Sequence, residues 1–116
     1  MRVLVCGGRD FEDQELLNRT LDRINEESPI STIIHGLARG ADRMGGEYAT
    51  VHGIPVCEFP ADWGTHGRKA GYIRNARMLA EGQPDVVVAF PGGKGTADMI
   101  RQAREAGIEV KVAVNE

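Results

Sequence analysis

Five apolar runs of strand length alternate along the chain with longer segments whose apolar residues recur at helical spacing. The first run is Arg2 to Cys6, and the others fall at 31–35, 55–59, 86–90 and 109–114. Val86-Val87-Val88-Ala89-Phe90 contains no polar residue. A run of that kind marks a strand buried on both faces, because a strand with one wet face alternates polar with apolar. It is therefore expected at the centre of a parallel sheet. Between the runs, Leu17, Leu21 and Ile24 make the stripe of a first helix, with Asp10 or Asp13 as its cap. Met44, Tyr48 and Val51 predict a second helix that begins at Ala41 and stops at Gly53. Gly45 and Gly46 inside it cost about a kcal/mol each relative to alanine, so close packing against another backbone is the expected reason for them. A third helix is expected over 69–80, with Gly82 and Pro84 as stop signals, and a fourth from Thr96 to Gly107. Residues 60–67, with the sole tryptophan Trp63, read as the longest loop. Strict alternation of strand and helix implies an α/β fold: a doubly wound, Rossmann-like three-layer sandwich with a parallel five-stranded sheet.

Length and charge narrow the function classes. A chain of 116 residues, 41% hydrophobic, is expected to form one domain with a real core. No long apolar segment or signal peptide is visible, so a cytoplasmic location with no membrane partner is expected. The net charge of −3 argues against a general nucleic-acid coat protein but leaves local basic patches open. Cys6 and Cys57 lie in apolar strand-like runs and read as reduced core thiols. Neither they nor His35, His52 and His66 have metal-ligand spacing, so no metal is expected.

The candidate chemistry gathers where strands end. In a doubly wound sheet, ligands sit beyond the carboxyl ends of the strands, where strand order reverses. Strand one ends in Gly7-Gly8-Arg9, strand two in Gly36 followed by Arg39-Gly40 and Asp42, and strand four in Pro91-Gly92-Gly93-Lys94-Gly95-Thr96. Glycine allows close approach there, arginine suits bidentate grip on phosphate or carboxylate, and Thr96 is placed to cap the last helix. Free N–H groups of that helix would then face a phosphate. From Gly64 to Ala80 there is no acidic residue, yet Arg68, Lys69, Arg74 and Arg77 lie there. Arg74 and Arg77, three apart, are expected on one helix face beside Asn75. A dinucleotide fingerprint G-x-G-x-x-G is absent after strand one, and Lys94 precedes its glycine where a P-loop would have it follow. Classical NAD binding and ATPase action are thereby set aside.

With these motifs in hand, the chain resembles the SLOG superfamily of Rossmann-like nucleotide-binding proteins, and within it the YspA-like branch. The resemblance runs from Val3-Leu4-Val5-Cys6-Gly7-Gly8-Arg9-Asp10-Phe11 through 35–42 and Arg74-Asn75-Ala76-Arg77 to Pro91-Gly92-Gly93. It implies three function classes: a binder of nucleotides or nucleotide-derived phosphorylated small molecules, a nucleoside 5′-monophosphate phosphoribohydrolase, and a single-stranded DNA binder. The phosphoribohydrolases that it resembles continue their turn as P-G-G-x-G-T-x-x-E, with the glutamate as a catalytic carboxylate, whereas this chain has Met99 there. Asp98, one position earlier, is the catalytic candidate if the protein is an enzyme, and Asp42 the reserve. Small-ligand binding is the preferred reading, with Gly7, Gly8, Arg9, Gly36, Arg39, Gly40, Asp42, Arg74, Asn75, Arg77 and residues 91–96 as ligand contacts. No cofactor is expected, and the expected partners are a nucleotide-like small molecule and further copies of the chain in a homo-oligomer such as a dimer.

Overall fold

A computed structural model describes residues 1–114. The strands are β1 (Arg2–Cys6), β2 (Thr32–His35), β3 (Val56–Glu58), β4 (Val86–Ala89) and β5 (Glu109–Val112), all parallel, in the order β3-β2-β1-β4-β5. The helices are α1 (Gln14–Glu27), α2 (Ala41–Val51), α3 (Trp63–His66), α4 (Ala70–Gly82) and α5 (Lys94–Glu105), with a 3₁₀ turn at Gly67–Lys69. This is the α/β, Rossmann-like, doubly wound architecture that the alternation predicts.

The sheet separates two apolar layers because successive residues of a strand point to opposite faces. Val3 and Val5 of β1 and Val86 and Val88 of β4 pack with Leu17, Leu21 and Ile24 of α1 and Tyr48 of α2. Leu4, Val87 and Ala89 face the other way, onto Met78 of α4 and Met99 and Ala103 of α5. Both faces are thus covered, and β1 and β4 are buried along nearly their whole length. Gly45 explains its place by packing: a Cβ there would come within 3.0–3.2 Å of the Val5 side chain, so α2 lies close on β1.

Strand order reverses between β1 and β4, whose register pairs Val3 with Val86 and Cys6 with Ala89. From β1 the chain winds through α1 and α2 to one edge, and from β3 it returns through α4 to β4 on the other side. The turns after β1 and β4 consequently diverge and leave a crevice above the carboxyl ends of the two central strands.

The loop expected over 60–67 is instead largely helical. Asp62 caps α3 by accepting from the Thr65 N–H at 3.1 Å, and the 3₁₀ turn leads directly into α4. Gly64 and Gly67 dilute the helical signal there, and the segment is too short to show a period. Thr96 also differs from its expected role. Gly93 is the N-cap of α5, without a side-chain bond, and Thr96 is a buried third residue of the helix. Its Oγ1 lies where a Cβ on Gly92 would be, which fixes the turn against β1.

Candidate functional site

The floor of the crevice is built from two turns in contact. The Gly8 N–H donates to the Pro91 carbonyl at 2.9 Å, and a Cβ on Gly92 would lie 2.6 Å from the Gly8 nitrogen. Beneath them the rings of Phe11 and Phe90 pack with centroids 5.1 Å apart. Gly40 completes the floor from the β2 side. At φ +84° it takes a backbone conformation that side chains disfavour, and a Cβ there would strike the Gly8 carbonyl oxygen. Gly40, Pro91 and Gly92 therefore act from behind, by setting the turns, and the cleft-facing surface belongs to their neighbours.

Above this floor lie two adjoining lobes. The first, about 370 Å³, is bordered by Gly7 to Arg9, by Asp42, by Trp63, Arg68 and Tyr72, by Arg74 and Asn75 of α4, and by Gly93 to Thr96. The second, about 270 Å³, is bordered by Arg9, Gly36, Arg39, Arg43, Pro60, Trp63 and Arg74. Arg9, Trp63 and Arg74 stand at both, so one cleft runs past them. With its N-cap lacking a side chain, α5 turns the free N–H groups of its first turn, at Lys94 to Thr96, towards the first lobe.

Arg74 crosses from α4 to β2. Its Nη1 donates to the Gly36 carbonyl at 2.7 Å and its Nε to Asn75 Oδ1 at 3.1 Å. Burial pulls its pKa down, opposed by the charge of Asp42. Asp42 opens α2 and is only 4% exposed; its Oδ2 accepts from the Gly36 N–H at 3.0 Å and the Ala38 N–H at 3.4 Å. Burial outweighs these bonds and the nearby arginines and raises its carboxyl to about 6. The same turn is held from below by His35, whose Nδ1 accepts from the Leu37 N–H at 2.9 Å, with Leu37 at φ +59°. Burial lowers the His35 pKa, with Glu58 at 3.7 Å acting against it. A neutral ring with its proton on Nε2 fits both contacts.

At the mouth, the Arg9 guanidinium lies 5.5 Å from the Trp63 ring centroid. Trp63 is 50% exposed and Tyr72 43%, so both offer ring faces at the rim. Arg39 is tied to the β1 turn, with Nε donating to the Arg9 carbonyl and Nη2 3.4 Å from Asp10 Oδ1. Cys6 lies at the floor, its thiol pushed up to about 12 mainly by burial, which makes it a poor nucleophile. Both cysteines are free.

Two expected residues face elsewhere. Arg77 is turned along α4, with Nε 2.8 Å from Glu81 Oε2 and its guanidinium 5.7 Å from the Phe59 ring centroid, so it borders neither lobe. Three residues of helix leave about 60° between side chains, enough to put Arg74 in the cleft and Arg77 outside it. Asp98 is buried between helices: it accepts from Asn75 Nδ2 at 3.1 Å, Gln102 Nε2 at 2.7 Å and Arg101 Nη2 at 2.7 Å. Asn75 Nδ2 also donates to the Gly95 carbonyl at 3.1 Å. Asp98 thus clamps α4 to α5 and does not border the cleft, and Met99 is wholly buried in the core. Arg43 was not anticipated, although it stands in the first turn of α2 next to Asp42.

A doubly wound parallel sheet with a cation-lined cleft at the reversal of strand order defines a Rossmann-like protein. Within that class the chain belongs to the YspA, cpYpsA-related SLOG family, whose family model, YAcAr, matches residues 1–66. It is also similar to the Gene 61 protein of Mycobacterium phage D29, with 38% identity over 117 residues that cover 94% of this chain and 93% of that protein. Among solved structures, glycinamide ribonucleotide transformylase 1 from Symbiobacterium toebii matches at 18% identity and a TM-score of 0.47, over 93% of this chain and 61% of that one.

Proposed function

We propose that the protein binds a nucleotide or a nucleotide-derived phosphorylated small molecule in this cleft. The observation that carries the reading is the convergence of Arg9, Arg68, Arg74 and Lys94 with the open first turn of α5 over the ends of β1 and β4. A phosphoryl group takes the N–H groups of Lys94 to Thr96, because they meet an anion without reorganising. The base lies towards Trp63 and Tyr72, whose exposed faces suit stacking. The first lobe alone falls within the ~300–1,000 Å³ usual for small-molecule sites.

Gly95→Val is the direct test. Gly95 has helical backbone and open space around its Cβ position, so the fold accepts valine while the cleft is obstructed. Calorimetric titration with nucleoside 5′-monophosphates should give binding in wild type and none in Gly95→Val, at an unchanged thermal transition. Equal affinities in the two proteins would refute the site.

The phosphoribohydrolase reading keeps one specific support, now in Asp42. Cleaving an N-glycosidic bond needs a carboxylate to stabilise charge on the ribose or activate water. Among the described residues, Asp42 is the acid that borders the cleft. Release of free base from AMP by wild type, abolished in Asp42→Asn with AMP still bound, would establish the hydrolase; absence of release from every nucleoside monophosphate leaves a binder.

A further inference from the structure

We infer that the ligand carries two phosphoryl groups held apart by a ribose, one for each lobe of the cleft; the inference rests on the nucleotide-binding reading above. The first lobe has the α5 amides and Lys94 for one phosphate. The second lobe lies on the far side of Arg9, Trp63 and Arg74, and Arg39 and Arg43 border it with no acidic side chain among its lining residues. Four guanidinium groups surround about 270 Å³; Asp10 meets Arg39 at 3.4 Å and Asp42 acts on Arg74 and Arg9, which leaves their mutual repulsion only partly offset, in a chain that as a whole is acidic, at −3.

The existing bonds of these arginines leave their capacity largely unspent. Arg74 uses Nη1 and Nε on Gly36 and Asn75, and Nη2 bonds to no described residue. Arg39 holds Asp10 and the Arg9 carbonyl at 3.3–3.4 Å, at the long end of the range, with its head exposed. The Arg43 backbone N–H donates to the Ala38 carbonyl, whereas its guanidinium bonds to no described residue. Planar guanidinium groups with open N–H pairs match phosphoryl oxygens. The α5 turn borders the first lobe and not the second, and Arg39 and Arg43 border the second and not the first, so two phosphates separated by a sugar can occupy both lobes with the sugar passing Arg74.

That separation distinguishes the proposal from simple charge attraction. A nucleoside 3′,5′-bisphosphate and a 5′-phosphorylated 3′–5′ dinucleotide both have it, while ADP has its phosphates contiguous. Calorimetry on the intact protein would use AMP, ADP, adenosine 3′,5′-bisphosphate and the dinucleotide pApA. Adenosine 3′,5′-bisphosphate or pApA should bind at least about tenfold tighter than AMP or ADP, the gain from one further charge-assisted contact. The tighter of the two identifies the source of the second phosphate. Arg43→Ala should collapse the preference over AMP, and Arg104→Ala, on the outer face of α5, should keep it. Bisphosphate affinity no better than that of ADP, or a preference that survives Arg43→Ala, would overturn the two-lobe ligand while leaving the nucleotide site standing. Failure of all four ligands to bind would overturn both. Affinity that climbs steadily from pApA to a ten-nucleotide single strand would replace the small ligand with nucleic acid.

Discussion

Asp42 and Arg74 set the chemistry of the cleft at the scale of single residues. Asp42 has a native carboxyl near 6 against an ordinary value of 3.8, because burial costs more than two backbone N–H bonds and the arginines return. An acid whose folded pKa is raised makes the native state hold the proton longer than the unfolded chain does. Stability therefore falls as pH rises through about 4 to 6, by on the order of 3 kcal/mol at most. Urea denaturation should show wild type losing stability relative to Asp42→Asn across that window, and a constant difference would refute the buried anion. Arg74→Ala should weaken nucleotide binding about ten- to a hundredfold in calorimetry, the worth of one charge-assisted contact, while Arg104→Ala should leave it unchanged. Sequence made Arg74 legible, because a cation among helix residues without acids asks for an anion. It could not separate Arg74 from Arg77, since that depends on where Phe59 and Glu81 lie around α4.

Between elements, the decisive contact is the clamp of α4 on α5 through Asn75 and Asp98. It positions the Gly95 backbone, and with it the amides that face the first lobe. Asp98→Ala leaves Asn75 Nδ2, Gln102 Nε2 and Arg101 Nη2 each with one acceptor fewer, although Arg101 keeps Glu105 and Gln102 keeps the Tyr72 carbonyl, so it should destabilise the fold by about 1–3 kcal/mol. Thermal unfolding measures this, and an unchanged transition would refute the clamp. The sequence placed Asp98 one residue from the carboxylate of the resembling enzymes; only the packing of α4 tells that it points between helices. Other elements were legible from pattern alone. The all-apolar run of β4 and the alternation of runs gave the parallel sheet, as both follow from local burial. The helical turn at Trp63–His66 was not legible, because four residues carry no period and Asp62 caps as easily as it ends a loop.

For the whole molecule, the feature that builds the cleft is strand order. Alternation specifies a wound sheet, but the placement of β1 beside β4 comes from long-range pairing that no local pattern encodes. Once they are adjacent, Gly8 meets Gly92 and the two glycine turns become one floor. Charge is then sorted by that geometry: a chain with net charge −3 gathers arginines from the turns after β1 and β2, from α2 and from α4 around a single cleft. Amide chemical-shift mapping tests this account most directly, because it locates any ligand on the molecule without assuming its identity. On titrating AMP into the ¹⁵N-labelled protein, the largest shifts should fall at Gly8, Arg9 and residues 93–96, with smaller ones at Trp63 and Tyr72. Shifts that cluster on α1 and β5, or no shifts at millimolar AMP, would contradict it.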